Sequence, residues 1–205
     1  MFTGLVKTQG TVRRVDMRGD CMVTIAMLEP FALDVGASVA CNGICLTVIK
    51  IDDNAFKVSL SAETMNRTTA KDWAVGTTLN LEPSLNVGDA MGGHFVSGHV
   101  DGLARVLHTE KSGDSTVWEF AVPPHLARFV APKGSVTLDG VSLTVNEVRD
   151  RKTAEGAPMT SFTVNIIPHT AKVTNFGKLA VGADVNLEID MLARYVARLT
   201  ERKAV

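Results

Sequence analysis

SVACNGICLTV, residues 38–48, decides the fold, because the chain writes it twice. SVTLDGVSLTV, residues 135–145, repeats it with six of eleven positions identical. Each copy sets two apolar, β-branched runs around Asn42-Gly43 or Asp139-Gly140, dipeptides that mark a two-residue hairpin. Outward from the hairpins the parallel continues. FKVSLSAET (56–64) matches FTVNIIPHT (162–170), VGTTLNLE (75–82) matches VGADVNLEID (181–190), and FTGLV (2–6) matches VSGHV (96–100). The order is the same throughout, so one half duplicates the other.

Each half carries about six short strand-like runs separated by turn signals, the pattern of a small closed antiparallel barrel. The predicted fold is all-β: two tandem six-stranded barrels, residues 1–90 and 91–187, followed by a C-terminal helix at 188–205. Thr3–Val6 and Ser97–Val100 read as the first strand of each half. A helical turn is expected in each half, over Met65–Lys71 and Ala171–Lys178. From Met191, Leu192, Tyr195, Val196 and Leu199 share one stripe, and Arg194, Arg198 and Arg202 another, with Asp190 as N-cap. No copy of this helix follows the first half, so its apolar stripe is expected to meet a partner subunit. Gly92, Gly93 and His94 read as the junction between the halves, and residues 156–161 as a lengthened hairpin turn.

Of the 205 residues, 45% are apolar, and 21 basic residues balance 22 acidic ones. No basic face points to nucleic acid and no apolar run reaches the roughly 20 residues of a membrane span. MFTGLVK lacks the basic and apolar regions of a signal peptide, so a cytoplasmic protein starting at or near Met1 is expected. Cys21, Cys41 and Cys45 are too few for a disulfide framework and lack the spacing of a zinc site. No metal is expected.

The opening MFTGLV, NGICLTV, GGHFVSGHVDG (92–102) and GVSLTV, together with the duplication and terminal helix, resemble the riboflavin synthase α-chain family over essentially the whole chain. The resemblance implies a transferase that dismutates two molecules of 6,7-dimethyl-8-ribityllumazine. One donates a four-carbon unit to the other, giving riboflavin and 5-amino-6-ribitylamino-pyrimidinedione without a cofactor. It also implies a homotrimer held by the C-terminal helices, its active site shared between subunits, and lumazine synthase as a candidate partner. Two like barrels would bind two like molecules.

The residues follow from the same resemblance. Catalytic roles are implied for His99, Cys45, Ser38, Lys133, Ser142, Thr144 and Asp190. Ligand contacts are implied at Phe2, Gly4, Leu5 and Val6; at Cys45, Leu46 and Thr47; and at Ser59, Leu60, Ser61, Ala62, Glu63 and Thr64. The second half supplies Gly98, His99 and Val100, Lys133, Ser142, Leu143 and Thr144, then Asn165, Ile166, Ile167, Pro168, His169 and Thr170. Positions alike in both halves, such as Gly4/Gly98 and Thr47/Thr144, suit what the two ligands share. Positions that differ, Leu5/His99, Cys45/Ser142 and Glu63/His169, suit a division into donor and acceptor. An imidazole at 99 can move protons near neutral pH, and a thiol or hydroxyl at 45 or 142 can add to an electrophilic ring carbon.

Each has a plainer reading. Thr in LTV is a good strand residue, Cys45 is a small hydrophobe, Lys133 is solvated surface, and Asp190 is a cap whose basicity its hydrogen bonds would lower. Ser59 and His169 depart from commoner family residues. The rival function is a lumazine- or flavin-binding carrier of the same fold, whose members have lost the polar site residues. This chain keeps Ser38, Cys45, His99, Lys133 and Ser142.

Overall fold

The computed structural model describes residues 1–17, 20–153 and 156–201. Twelve strands form two closed barrels. The first holds β1 (Thr8–Asp16), β2 (Cys21–Met27), β3 (Ser38–Cys41), β4 (Ile44–Asp52), β5 (Ala55–Leu60) and β6 (Thr78–Pro83). The second holds β7 (Gly102–Ser112), β8 (Ser115–Val122), β9 (Ser135–Leu138), β10 (Val141–Lys152), β11 (Pro158–Ile166) and β12 (Asp184–Ile189). Strand order around the first is β1-β2-β5-β4-β3-β6, and the second repeats it with β7-β8-β11-β10-β9-β12. The duplication is therefore a duplication of topology.

Alternation builds the barrels. Along β5, Phe56, Val58 and Leu60 point inward while the residues between them do not. The first core gathers Val12, Ile25, Phe56, Leu79 and Leu81; the second gathers Phe120, Phe162, Phe176 and Leu187. Trp118 stacks on Phe120 and meets Phe176 edge-on, at centroid distances of 6.1 and 5.5 Å.

The helices α1 (Ala62–Arg67) and α2 (Pro168–Val173), each followed by a 3-10 turn at Thr69–Asp72 or Asn175–Gly177, begin three residues earlier than the sequence suggested. Ser61 sets the start of α1 by accepting from the Thr64 N–H at 3.1 Å, and Pro168 occupies the first turn of α2. The predicted long turn at 156–161 is shorter than expected, because the β10–β11 ladder already pairs Lys152 with Pro158. No helix among the described residues is long and apolar enough to cross a membrane.

Helix α3 (Met191–Glu201) starts at Asp190, whose Oδ1 accepts from the Leu192 N–H at 2.9 Å. Arg194 ties it to Asp101 at 2.7 Å. Leu192, Tyr195, Val196 and Leu199 all stand more than 60% exposed, an unpartnered apolar face. Arg202 lies outside the described residues.

The hairpin tips meet tip to tip between the barrels, Asn42 and Asp139 at φ of 46° and 44°. A polar network of like positions joins them. Asn80 Nδ2 donates to the Asp139 carbonyl at 2.9 Å, and Asn186 Nδ2 donates to the Asn42 carbonyl at 2.8 Å. The carboxylate of Asp139 accepts from the Asn186 N–H at 2.8 Å and from Asn175 Nδ2 at 2.6 Å. Burial nevertheless pushes its pKa up to about 7.

Candidate active site

The residues before each barrel are not its first strand, as the sequence suggested. They are arms that cross to the opposite barrel. Phe2 and Val96 pair antiparallel, the Phe2 N–H donating to the Val96 carbonyl at 2.8 Å and the Val96 N–H donating back at 3.1 Å. Beyond this pair, the Gly4 carbonyl accepts from the Ser142 N–H at 2.8 Å, and the Gly98 carbonyl accepts from the Cys45 N–H at 2.8 Å. Val6 packs on the second core and Val100 on the first.

Two features make this approach work. Gly4 and Gly98 turn at φ of 78° and 79°, and a Cβ on either would stand 2.6 Å from the Cβ of Ser142 or Cys45. Two buried carboxylates, absent from the sequence-based site, then hold the turns. Glu82 accepts from the Thr3 N–H, the Thr3 hydroxyl and the Gly4 N–H at 2.7, 2.7 and 3.0 Å. Glu188 accepts from the Ser97 N–H, the Ser97 hydroxyl and the Gly98 N–H at 2.7, 2.6 and 3.0 Å. Burial raises the pKa of both, and the hydrogen bonds oppose that rise.

Beside each arm the barrel wall splits. The β4–β5 ladder ends at Val48↔Val58, so Ile44 to Thr47 pair only with β3, while Ser59 and Leu60 pair only with β2. In the second barrel β10–β11 ends at Val145↔Val164, leaving Val141 to Thr144 on β9 alone and Asn165 and Ile166 on β8 alone. Bulges between Val48 and Lys50 and between Val145 and Glu147 turn the strands apart. Each cleft has strand-edge amides on both lips, a helix start at its end and an arm across its side. That set suits a flat heterocycle with carbonyls and ring nitrogens.

The expected residues sort onto these clefts. Cys45, Leu46 and Thr47, Ser59 to Thr64, and Gly98 to Val100 belong to the first; Ser142 to Thr144, Asn165 to Thr170, and Gly4 to Val6 belong to the second. Leu46, Leu60 and Ile166 turn their side chains into the cores, so only their backbones can meet a ligand. Leu5, His99, Ile167 and His169 are exposed, with Leu5 at 52% and Ile167 at 51%. Glu63 is paired with Arg67, and Ser61 with Thr64 at 3.0 Å. Phe2 is wholly buried with Ala40 and Val96, against Cys45. Cys21 and Cys41 are buried.

Lys133 is exposed, yet it holds φ at 66° where its duplicate position carries Gly36 at 92°. A lysine kept in the left-handed region costs of order 1 kcal/mol or more, at a turn whose copy in the first half uses glycine. Ser38 pairs with Thr47 at the mouth of the first hairpin.

Gly93 and His94 are not a slack junction. A Cβ on Gly93 would collide with the Thr3 carbonyl, and the His94 N–H donates to that carbonyl at 3.2 Å. The His94 ring meets Ser142 Oγ through Nδ1 at 2.7 Å and Thr137 Oγ1 through Nε2 at 3.2 Å. The glycine pair before the histidine was the only hint of this in the sequence, and it reads equally well as a linker.

A duplicated barrel with one cleft per half is a class of binding fold, and comparison with known proteins agrees. The family described as "Lumazine binding domain" matches residues 3–84 and 97–190. The riboflavin synthase of Brucella abortus is 41% identical over 98% of this chain and 98% of its own length, and that of Photobacterium phosphoreum is 39% identical over 97% and 88%. The chain belongs to the riboflavin synthase family. Its fold also matches solved structures of LumP complexed with 6,7-dimethyl-8-(1'-D-ribityl) lumazine and with riboflavin, at TM-scores of 0.75 and 0.77 and 23% identity, over 92% of this chain and 99% of the other.

Proposed function

We propose that the chain is a riboflavin synthase, a transferase converting two molecules of 6,7-dimethyl-8-ribityllumazine into riboflavin and 5-amino-6-ribitylamino-pyrimidinedione. The observation that carries this reading is the pair of like clefts, one per barrel, each crossed by an arm from the other half. Two like sites suit a reaction between two like molecules.

The chemistry asks for little beyond proton transfer, addition and placement. The C7 methyl of one lumazine is acidic because the ring delocalises its carbanion, and C7 of the other is electrophilic. Holding both reactants in one geometry supplies roughly 7–11 kcal/mol of the barrier. In this reading the strand-edge amides of the two clefts take the rings, with Thr47 and Thr144 at matching positions. His99 moves a proton at the first cleft, and Cys45 and Ser142 present unlike groups at equivalent points. Lys133, held against its backbone preference, reaches a neighbouring subunit, while Ser38 and Asp190 act at the margins.

The units of this function are residues 1–90, 91–187 and 188–205. The last would build a homotrimer on the exposed stripe of α3, so that the reacting pair lies between the first barrel of one subunit and the second barrel of the next. The protein would act in the cytoplasm, with lumazine synthase as a further partner to be sought by co-sedimentation.

Purified protein incubated with 6,7-dimethyl-8-ribityllumazine tests the proposal. Riboflavin and pyrimidinedione formed in equal amounts, two lumazines consumed for each pair, is the expected result. Tight binding without turnover would make the chain a carrier instead.

A further inference from the structure

The two arms are held alike at one end and unlike at the other. Glu82 and Glu188 grip the turns at Gly4 and Gly98 in the same way. Lys7 and Asp101, the next duplicate pair, donate their N–H groups to the Leu81 and Leu187 carbonyls, both at 2.8 Å. There the likeness stops. The Asp101 side chain, 9% exposed, accepts from the Ile189 N–H through Oδ2 at 2.9 Å and from Arg194 Nη2 through Oδ1 at 2.7 Å. In the first half both partners of the Ile189 bond are replaced together. Lys7 stands where the carboxylate would be, and Pro83, which has no N–H, stands for Ile189. Asp101 therefore joins the arm that carries His99, two residues before it, to the end of β12 and to α3. The far end of α3 is tied to the second barrel as well, by Arg128 and Glu201 at 2.5 Å. The helix is thus held to its own barrel at both ends, a body against which the arm can be set.

We propose that Asp101 is a positioning residue for His99: by binding Arg194 and the Ile189 N–H, it fixes the arm to α3, and the helix sets where the imidazole stands at the first cleft. The inference rests on the synthase reading and on the proton transfer given there to His99. The difference between the arms follows what they carry. Lys7 leaves free an arm that presents Leu5, an apolar side chain. Asp101 pins the arm that presents an imidazole, and a group that moves a proton depends on its placement. A hydrogen bond with both partners charged is about twice as strong as a neutral one, which suits it to that task. Because the apolar stripe of α3 is where further copies of the chain would pack, whatever seats the helix also seats His99.

The test uses the full chain with Asp101→Ala, Arg194→Ala, Arg194→Lys, His99→Ala and the His99→Ala/Arg194→Ala double variant. Riboflavin formation is followed at a concentration where sedimentation gives each variant the assembly of the wild type. Asp101→Ala, which frees the arm from both holds, is expected to lose up to roughly 10²-fold in kcat with KM little changed, as for a misplaced reacting group. Arg194→Ala, which leaves the Ile189 bond, should lose less. Lys at 194 keeps the cation and should recover part of that loss, since the contact runs through one nitrogen. The double variant should be no slower than His99→Ala. Losses that multiply in the double variant, or a wild-type kcat in Arg194→Ala once assembly is matched, overturn the proposal.

A second measurement is independent of turnover. Amide hydrogen exchange from Gly98 to Val100 in the unliganded protein should quicken roughly tenfold in Arg194→Ala, the scale of one lost hydrogen bond to a charged group. Exchange from Gly4 to Val6, on the arm that has Lys7, should stay at the wild-type rate. Exchange unchanged on both arms, or raised equally on both, sinks the proposal even if the enzyme is active. Wild-type protein that binds lumazine and makes no riboflavin sinks the synthase reading instead.

Discussion

Phe2 and Val96 exchange both of their backbone hydrogen bonds across the approximate two-fold axis that relates the barrels, at 2.8 and 3.1 Å. This short bridge aligns both arms, and the buried ring of Phe2 fills the space behind Cys45. Phe2→Ala is expected to cost about 3–5 kcal/mol in urea denaturation and to lower turnover, since the emptied space lies beside the first cleft. Full activity in a correctly folded Phe2→Ala protein would contradict the placement.

The crossed arms make a crossed prediction. Glu188→Gln replaces one acceptor atom with a donor where Ser97 and Gly98 both donate, so it should loosen the arm that serves the first cleft. Glu82→Gln should loosen the arm that serves the second. Fluorescence titration should then show one lumazine bound tightly per chain instead of two, with a different site lost in each variant. Cys45 labelling kinetics tell them apart, being faster in Glu188→Gln.

Asp139 gives the fold a pH signature. Its pKa stands near 7 in the native state, against an ordinary carboxylate value near 3.8. The folded protein holds that proton more tightly, so its contribution is full below about pH 4 and is lost as pH rises through 7. Glu82 and Glu188 act in the same direction; His94, with its lowered pKa, acts in the opposite one. Asp139→Asn, which installs the residue of the first hairpin, should lower stability at acid pH through lost pairing with Asn175. It should also flatten the decline between pH 5 and 8 seen in the urea midpoint of the wild type.

Leu199→Asp places a charge in the exposed stripe of α3. Because Leu199 is 67% exposed in the single chain, the charge should leave the barrels' own stability unchanged. Sedimentation should report a monomer, with turnover lost and lumazine binding weakened. A trimer surviving both Leu192→Asp and Leu199→Asp would remove α3 from the assembly.

Most of the architecture was legible from one repeated undecapeptide. The hairpin signals, alternation and duplicated order carry the strand number and the barrel class of each half, because these depend on residues close in sequence. The arms were not legible. Thr3–Val6 has the composition of a strand, and which barrel it lies on is settled by Glu82, 79 positions away from Thr3, and by Ser142. Glu82 and Glu188 close a repeated NLE motif, and a buried carboxylate is costly unless donors converge on it, which here come from the arms. The helix starts were misplaced for a related reason: Ser61 and Pro168 were read for the ligand, and they also set the helix starts, Ser61 as N-cap and Pro168 in the first turn. His94 was missed because its partners arrive from β9 and β10.

The crossing of the arms bears on how such a chain could arise. Each barrel's cleft is closed by the segment that precedes the other barrel, so a single barrel of this design would have an arm with nothing to lie on and a cleft with nothing across it. Only a pair of identical barrels, trading arms about a two-fold axis, would satisfy both. Fusing the two copies preserves that trade inside one chain and frees the halves to diverge. Cysteine could then stand on one side and a histidine-backed serine on the other, a distinction no symmetric dimer of one gene product can hold.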